Sequence, residues 1–164
     1  MTVITVYLIF CMLAVIYFDV TRYIIPNWLV GSLLLLYPVA VWMAPLPLDW
    51  TMALAAVGTV FAIGDASVAV KWMGAGDIKL LTACALWVGW GGLLNFIFTV
   101  ALLGGALAAG LWLARKALPH AQFIKRETPW PRILREGEPV PYGVAIAAAM
   151  LLLLKDGGLP GLGG

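Results

Sequence analysis

Two aspartates stand where an acid is costly and useful. Asp77 closes the stretch Gly74-Ala75-Gly76-Asp77 and is followed by Ile78-Lys79; Asp19 ends an apolar run and is followed by Val20-Thr21-Arg22. Both positions read as helix ends at a membrane edge, where a carboxylate is a functional candidate by default. If the two helices pack side by side, the carboxyls meet at one depth. Two carboxyls in close contact cannot both ionise easily, so they share a proton. One can then take a proton from water while the other donates to a carbonyl oxygen. That is the chemistry of an aspartyl peptidase, and it needs neither a metal nor a nucleophilic side chain.

The residues beside Asp77 suit this chemistry. Gly74 and Gly76 permit backbone angles closed to other residues and remove bulk, so that a substrate strand can lie close to the acid. A plain flexible turn is the alternative use of the same glycines. Glu127, Glu136, Glu138, Asp49 and Asp156 fall in polar loops or tails and read as solvated. Asp65 precedes Asp77 by twelve residues, about 18 Å of helical rise, which sets it inside an apolar segment. A bundle water, a neighbouring hydroxyl or Lys71 would satisfy it, and a catalytic role for it stays open.

The elements that must position these acids are set by composition. Of 164 residues, 63% are hydrophobic and 11% charged, with mean hydropathy +1.01. Soluble domains run at about 45–50% apolar and about 25% charged. The excess predicts an integral membrane protein, an all-α polytopic bundle in a lipid bilayer. No basic stripe carries interleaved aromatics, which excludes nucleic acid as a partner. Cys11 and Cys84 lie in apolar segments without a CxxC spacing and read as packing residues. His120 stands alone in a polar loop, so neither a metal site nor a cofactor is predicted. No Lys or Arg precedes the first apolar run and no small-x-small site follows it, so it reads as a retained helix rather than a signal peptide.

The pattern predicts about six transmembrane segments in one domain, 1–164: about 2–18, 27–43, 50–70, 80–88, 93–114 and 142–154. Pro26 suits the first turn of the second segment. Residues 44–49 form a proline-broken loop, and Gly89-Trp90-Gly91-Gly92 separates segments four and five. Residues 115–141 form a polar, proline-rich loop, and 157–164 a frayed tail. Arg22, Lys71, Lys79, Arg115, Lys116, Lys125, Arg126, Arg132 and Arg135 then fall on one side and only Lys155 on the other. By the positive-inside rule the Asp19 and Asp77 turns face the cytoplasm and both termini face out. Trp28, Trp42, Trp50, Trp72, Trp90 and Trp112 sit near segment ends as an interfacial belt. Gly104, Gly105, Ala108, Ala109 and Gly110 give segment five a helix-packing face.

Asp19 with Ile25-Pro26-Asn27, then Gly74-Ala75-Gly76-Asp77 with Lys79, then Pro141-Tyr142-Gly143-Val144-Ala145-Ile146 resembles the type IV prepilin peptidase family across nearly the whole chain. The resemblance implies a GxGD-type aspartyl protease architecture, with Asp19 and Asp77 as catalytic residues. Gly74, Gly76, Lys79, Pro26 and Asn27 become substrate-binding or supporting residues. It implies a prepilin or pseudopilin precursor as substrate, whose short basic leader stays in the cytoplasm and is removed, typically after a glycine. It also implies the bacterial cytoplasmic (inner) membrane, and it admits the pilus assembly machinery as a partner. The larger bifunctional members carry a further cytoplasmic region with paired cysteines. Nothing here matches that region, so N-methyltransferase activity is not expected, and the compact form is similar to the peptidases of tight-adherence (Flp) pilus systems.

The competing reading is a non-enzymatic transporter or complex subunit in which Asp19, Asp65 and Asp77 handle protons or a cation. Inverted repeats would favour it, and only a faint echo joins the Asp19 and Asp77 turns.

Overall fold

The computed structural model describes residues 2–43, 49–69, 73–117, 132–135 and 137–157. The readings placed on the 44–48 loop, on Lys71 and Trp72, on His120, Lys125, Arg126, Glu127 and Glu136, and on the tail from 158 lie outside the described residues. What is described is all helical: α1 (Thr2–Arg22), α2 (Asn27–Met43), α3 (Trp50–Ala69), α4 (Ala75–Ala117) and α5 (Tyr142–Lys155), with a short 3-10 turn at Arg132–Leu134.

Three helices, Val3–Arg22, Trp50–Ala69 and Ala75–Ala117, are long and apolar enough to cross a membrane; Asn27–Met43 and Tyr142–Lys155 are shorter apolar helices. Their outer faces are as apolar as their inner ones. Val3 is 81% exposed, Leu35 77% and Leu94 84%. Helices apolar all round belong in hydrocarbon, not in water, and Pro38 inside α2 is tolerated in that setting. Trp28, Trp42, Trp50, Trp90 and Trp112 are all exposed near helix ends or at the Gly89 bend, as an interfacial belt requires.

Among the described residues there are five helical elements rather than the six expected, because the predicted fourth and fifth segments join at a bend without a loop between them. Gly89 lies inside it at φ 67°, ψ 177°, a region open essentially to glycine alone. A single residue of this kind takes the place of a loop, and it reverses the chain. Asp77 and Gly104 are 27 residues apart, about 40 Å along a straight helix. Yet Asp77 shares a cavity wall with Tyr142, and a methyl built on Gly104 would lie 3.0 Å from the Tyr142 ring. The two arms of α4 therefore run in opposite directions. Gly89→Ala is expected to destabilise the protein by about 1–3 kcal/mol, measured by reversible unfolding in detergent; a loss below about 0.5 kcal/mol would contradict the bend.

The two carboxyls were to meet if α1 and α4 packed side by side. The main partners of α1 are α5 and α2, while α4 packs mainly on α3, α5 and α2. α5 stands between the two aspartate-bearing helices. Its buried residues Gly143, Ala145, Ala147 and Ala149 are small and lie on more than one face, which lets neighbours approach from both sides. Small residues also seat α3, through the buried stripe Ala53, Ala56, Val60 and Gly64; a methyl on Gly64 would meet Ile78 Cγ2. The packing face expected on segment five shrinks to the buried Gly104 and the half-buried Ala108. Gly105, Ala109 and Gly110 are exposed.

Candidate active site

Asp19 is placed by the stripe it ends. Ile4, Leu8, Cys11, Met12 and Val15 are buried along one side of α1, and Asp19 takes the next position, 4% exposed. Spacings of three and four keep these residues on one helix face, so the carboxyl points into the bundle. Asp77 lies in the first turn of α4. It is followed by Leu80, Leu81, Cys84, Trp87 and Val88, all buried, so this arm of α4 also aims its acid inward. Cys11 and Cys84 are buried and free, in line with the packing role read for them.

The two carboxyls converge on the start of α5. Pro141 occupies the N-cap of that helix and makes no side-chain cap, so the Val144 N–H has a tight backbone turn to Pro141 O (3.2 Å) as its local partner and is open to a second acceptor. Asp19 supplies one from 125 residues away, its Oδ2 accepting from Val144 N–H at 3.1 Å. The Gly143 N–H faces both Asp19 and Asp77, and the two carboxyls are close enough to interact electrostatically. A methyl on Gly143 would lie 2.7 Å from Asp19 Oδ2 and 3.0 Å from Ile25 Cδ1. Any larger residue there would force one of these side chains to move.

Both acids line one cavity of about 600 Å³, together with Tyr23, Ile25, Gly74, Gly76, Val140 and Tyr142 among others. That volume suits a bound ligand or peptide segment. Basic side chains gather at this end of the bundle. Arg22 follows Asp19, and Lys79 Nζ donates to Asn27 Oδ1 at 3.4 Å, tying α4 to the start of α2. The carbonyl of Pro26 accepts from Leu29 N–H at 3.1 Å in opening α2. Arg115 holds the approach to α5: it donates to Ile133 O (2.9 and 3.2 Å) and to Glu138 O (2.8 Å). Lys155 lies at the far end of α5.

The glycines serve differently from the reading of them. Neither Gly74 nor Gly76 has a positive φ, because one precedes α4 and the other is already helical. Gly74 does remove bulk, since a methyl there would lie 2.9 Å from Asp77 Oδ2; at Gly76 the nearest atom is Ile25 Cβ at 3.7 Å, an ordinary contact. Asp65 is exposed on α3 and does not line the cavity. Asp49, read as solvated, caps α3 by accepting from Thr51 and Met52 N–H, each at 3.1 Å.

Sequence reasoning did not place Gly143 and Val144 in the site. The signal was present in Pro141-Tyr142-Gly143: a proline that cannot cap, then a glycine two residues into an apolar helix.

A model of the type IV leader peptidase family matches residues 6–109. The match takes in both aspartates and the residues flanking them, and ends before Arg115 and α5. No curated protein and no solved structure matches the chain.

Proposed function

Because this chain belongs to the type IV leader peptidase family, we propose that it is a membrane-embedded aspartyl endopeptidase that cuts the short basic leader from a type IV (Flp-like) prepilin or pseudopilin. The observation that carries this reading is the convergence of Asp19 and Asp77 on the Gly143 N–H at the wall of one cavity. One carboxylate takes a proton from water as the water oxygen adds to the scissile carbonyl carbon. The other, protonated, donates to the carbonyl oxygen. Collapse of the tetrahedral species breaks the C–N bond, and the leaving nitrogen takes up a proton. The products are a leader with a new carboxylate and a mature chain with a new amine.

The site faces the cytoplasm in this reading. Arg22, Lys79 and Arg115 at its end of the bundle and Lys155 at the other support that orientation. α1 begins and α5 ends on the side away from the carboxyls, in keeping with both termini outside. Pro26, Asn27 and Lys79 brace the α2–α4 corner, and Gly74 gives room to Asp77. The whole chain acts as one peptidase domain in the inner membrane.

The test is direct. The purified protein in detergent is incubated with a synthetic precursor peptide carrying a lysine-rich leader, a glycine and an apolar helix, and the products are read by mass. Loss of the leader is expected. An intact peptide, with the protein folded, would overturn the proposal.

A further inference from the structure

One residue in the cavity wall has a backbone its side chain does not favour. α1 ends at Arg22, and the next residue, Tyr23, donates its N–H to Asp19 O at 3.1 Å. Its φ is 54°, and among the described residues it is the one non-glycine with positive φ. The residue after a helix often adopts this conformation, but glycine or asparagine usually fills it, because a side chain there meets its own backbone. A bulky residue with positive φ is an outlier, and such strain collects at ligand clamps and active sites.

What the strained turn achieves is visible around it. It swings the chain so that Ile24 points out, 64% exposed, while Ile25 is buried against the site. Tyr23 itself lines the cavity with Asp19 and Asp77, and its hydroxyl oxygen is buried. A glycine would make the turn at lower cost but would leave that wall open.

We infer that Tyr23 is a substrate-positioning residue: its ring forms the surface on which an extended peptide segment lies beside the Asp19 carboxyl. The segment is the junction between the precursor's polar leader and its apolar helix. This rests on the peptidase reading. The ring contacts substrate in the ground state and the transition state alike, so its loss acts on binding more than on the chemical step.

The experiment compares Tyr23→Gly, Tyr23→Asn and Tyr23→Phe in the detergent-purified full chain, by thermal unfolding and by steady-state cleavage of the same synthetic precursor. Tyr23→Gly and Tyr23→Asn are expected to unfold at or above the wild-type temperature, since both accept positive φ. Their kcat/KM falls by about fivefold or more, carried by KM. Tyr23→Phe keeps the ring and restores kcat/KM to within about twofold of wild type. A smaller fall in the glycine variant, a phenylalanine variant as poor as the glycine one, or a drop in unfolding temperature in both small variants would overturn the role. A wild-type chain that leaves the peptide whole defeats the peptidase reading and this role with it. Cleavage lost in Asp77→Asn but intact in Tyr23→Gly defeats only the role of Tyr23.

Discussion

Asp19→Asn and Asp77→Asn are each expected to lower cleavage of a precursor peptide by about 10²–10⁴-fold while the bundle stays folded. The two halves of that statement have separate physical grounds. An amide cannot take a proton from water and cannot pass one to a carbonyl oxygen, so either substitution removes one arm of the acid–base exchange. The fold survives because the structural duty of Asp19 is to accept a hydrogen bond from Val144 N–H. Asparagine keeps a carbonyl oxygen in the same place, and it is among the best helix caps. Asp77→Asn likewise preserves size and acceptor geometry. Rates measured by mass and unfolding measured in the same detergent check both halves. A loss of rate that tracked a loss of folded protein would return Asp19 to a purely structural cap of α5.

Gly143→Ala is the second large effect, and it removes no chemical group. The added methyl would sit 2.7 Å from Asp19 Oδ2, 3.0 Å from its Cγ and 3.0 Å from Ile25 Cδ1. Something must shift, and the carboxyl is the freer party. Displacing it breaks its bond to Val144 N–H and turns it from Asp77. A misplacement of about 1 Å in a reacting group costs about 10²-fold in rate, so kcat is expected to fall by that order. Stability should change little, because alanine favours a helix over glycine by up to about 1 kcal/mol. Gly105→Ala is the control: it lies on α4 with nothing within 4 Å of the added methyl. It should leave kcat within about twofold of wild type. Equal rates for the two variants would show that Asp19 tolerates the crowding.

How far the residues foretold this arrangement differs from element to element. The inward aim of Asp19 is readable in Leu8, Cys11, Met12 and Val15, whose spacing carries the stripe to position 19. The acids were legible because charge is rare in so apolar a chain, and the short reach of residues 74–79 fixed a helix start near Asp77. What joins the two acids was harder to read. The N-terminus of α5 acts through backbone N–H groups, which every residue except proline carries, so no side chain announces them. The same holds for the reversal at Gly89. Four neighbouring residues, three of them glycine, mark a break, but which one adopts φ 67° depends on how the arms of α4 pack. Asp65 stayed open in the sequence for a related reason: an acid in an apolar helix reads as a candidate whichever way it faces, and this one is exposed.

Whether the two carboxyls act as one unit is measured by a double substitution. If Asp19 and Asp77 share one proton exchange, removing the second after the first costs nothing further. Cleavage by Asp19→Asn, Asp77→Asn and the double variant, each shown to be folded, is read by mass over the same time course. Three equal residual rates are expected, about 10²-fold or more below wild type. Two single losses that multiply in the double variant, or a single variant that keeps more than about a tenth of the wild-type rate, would contradict one shared exchange.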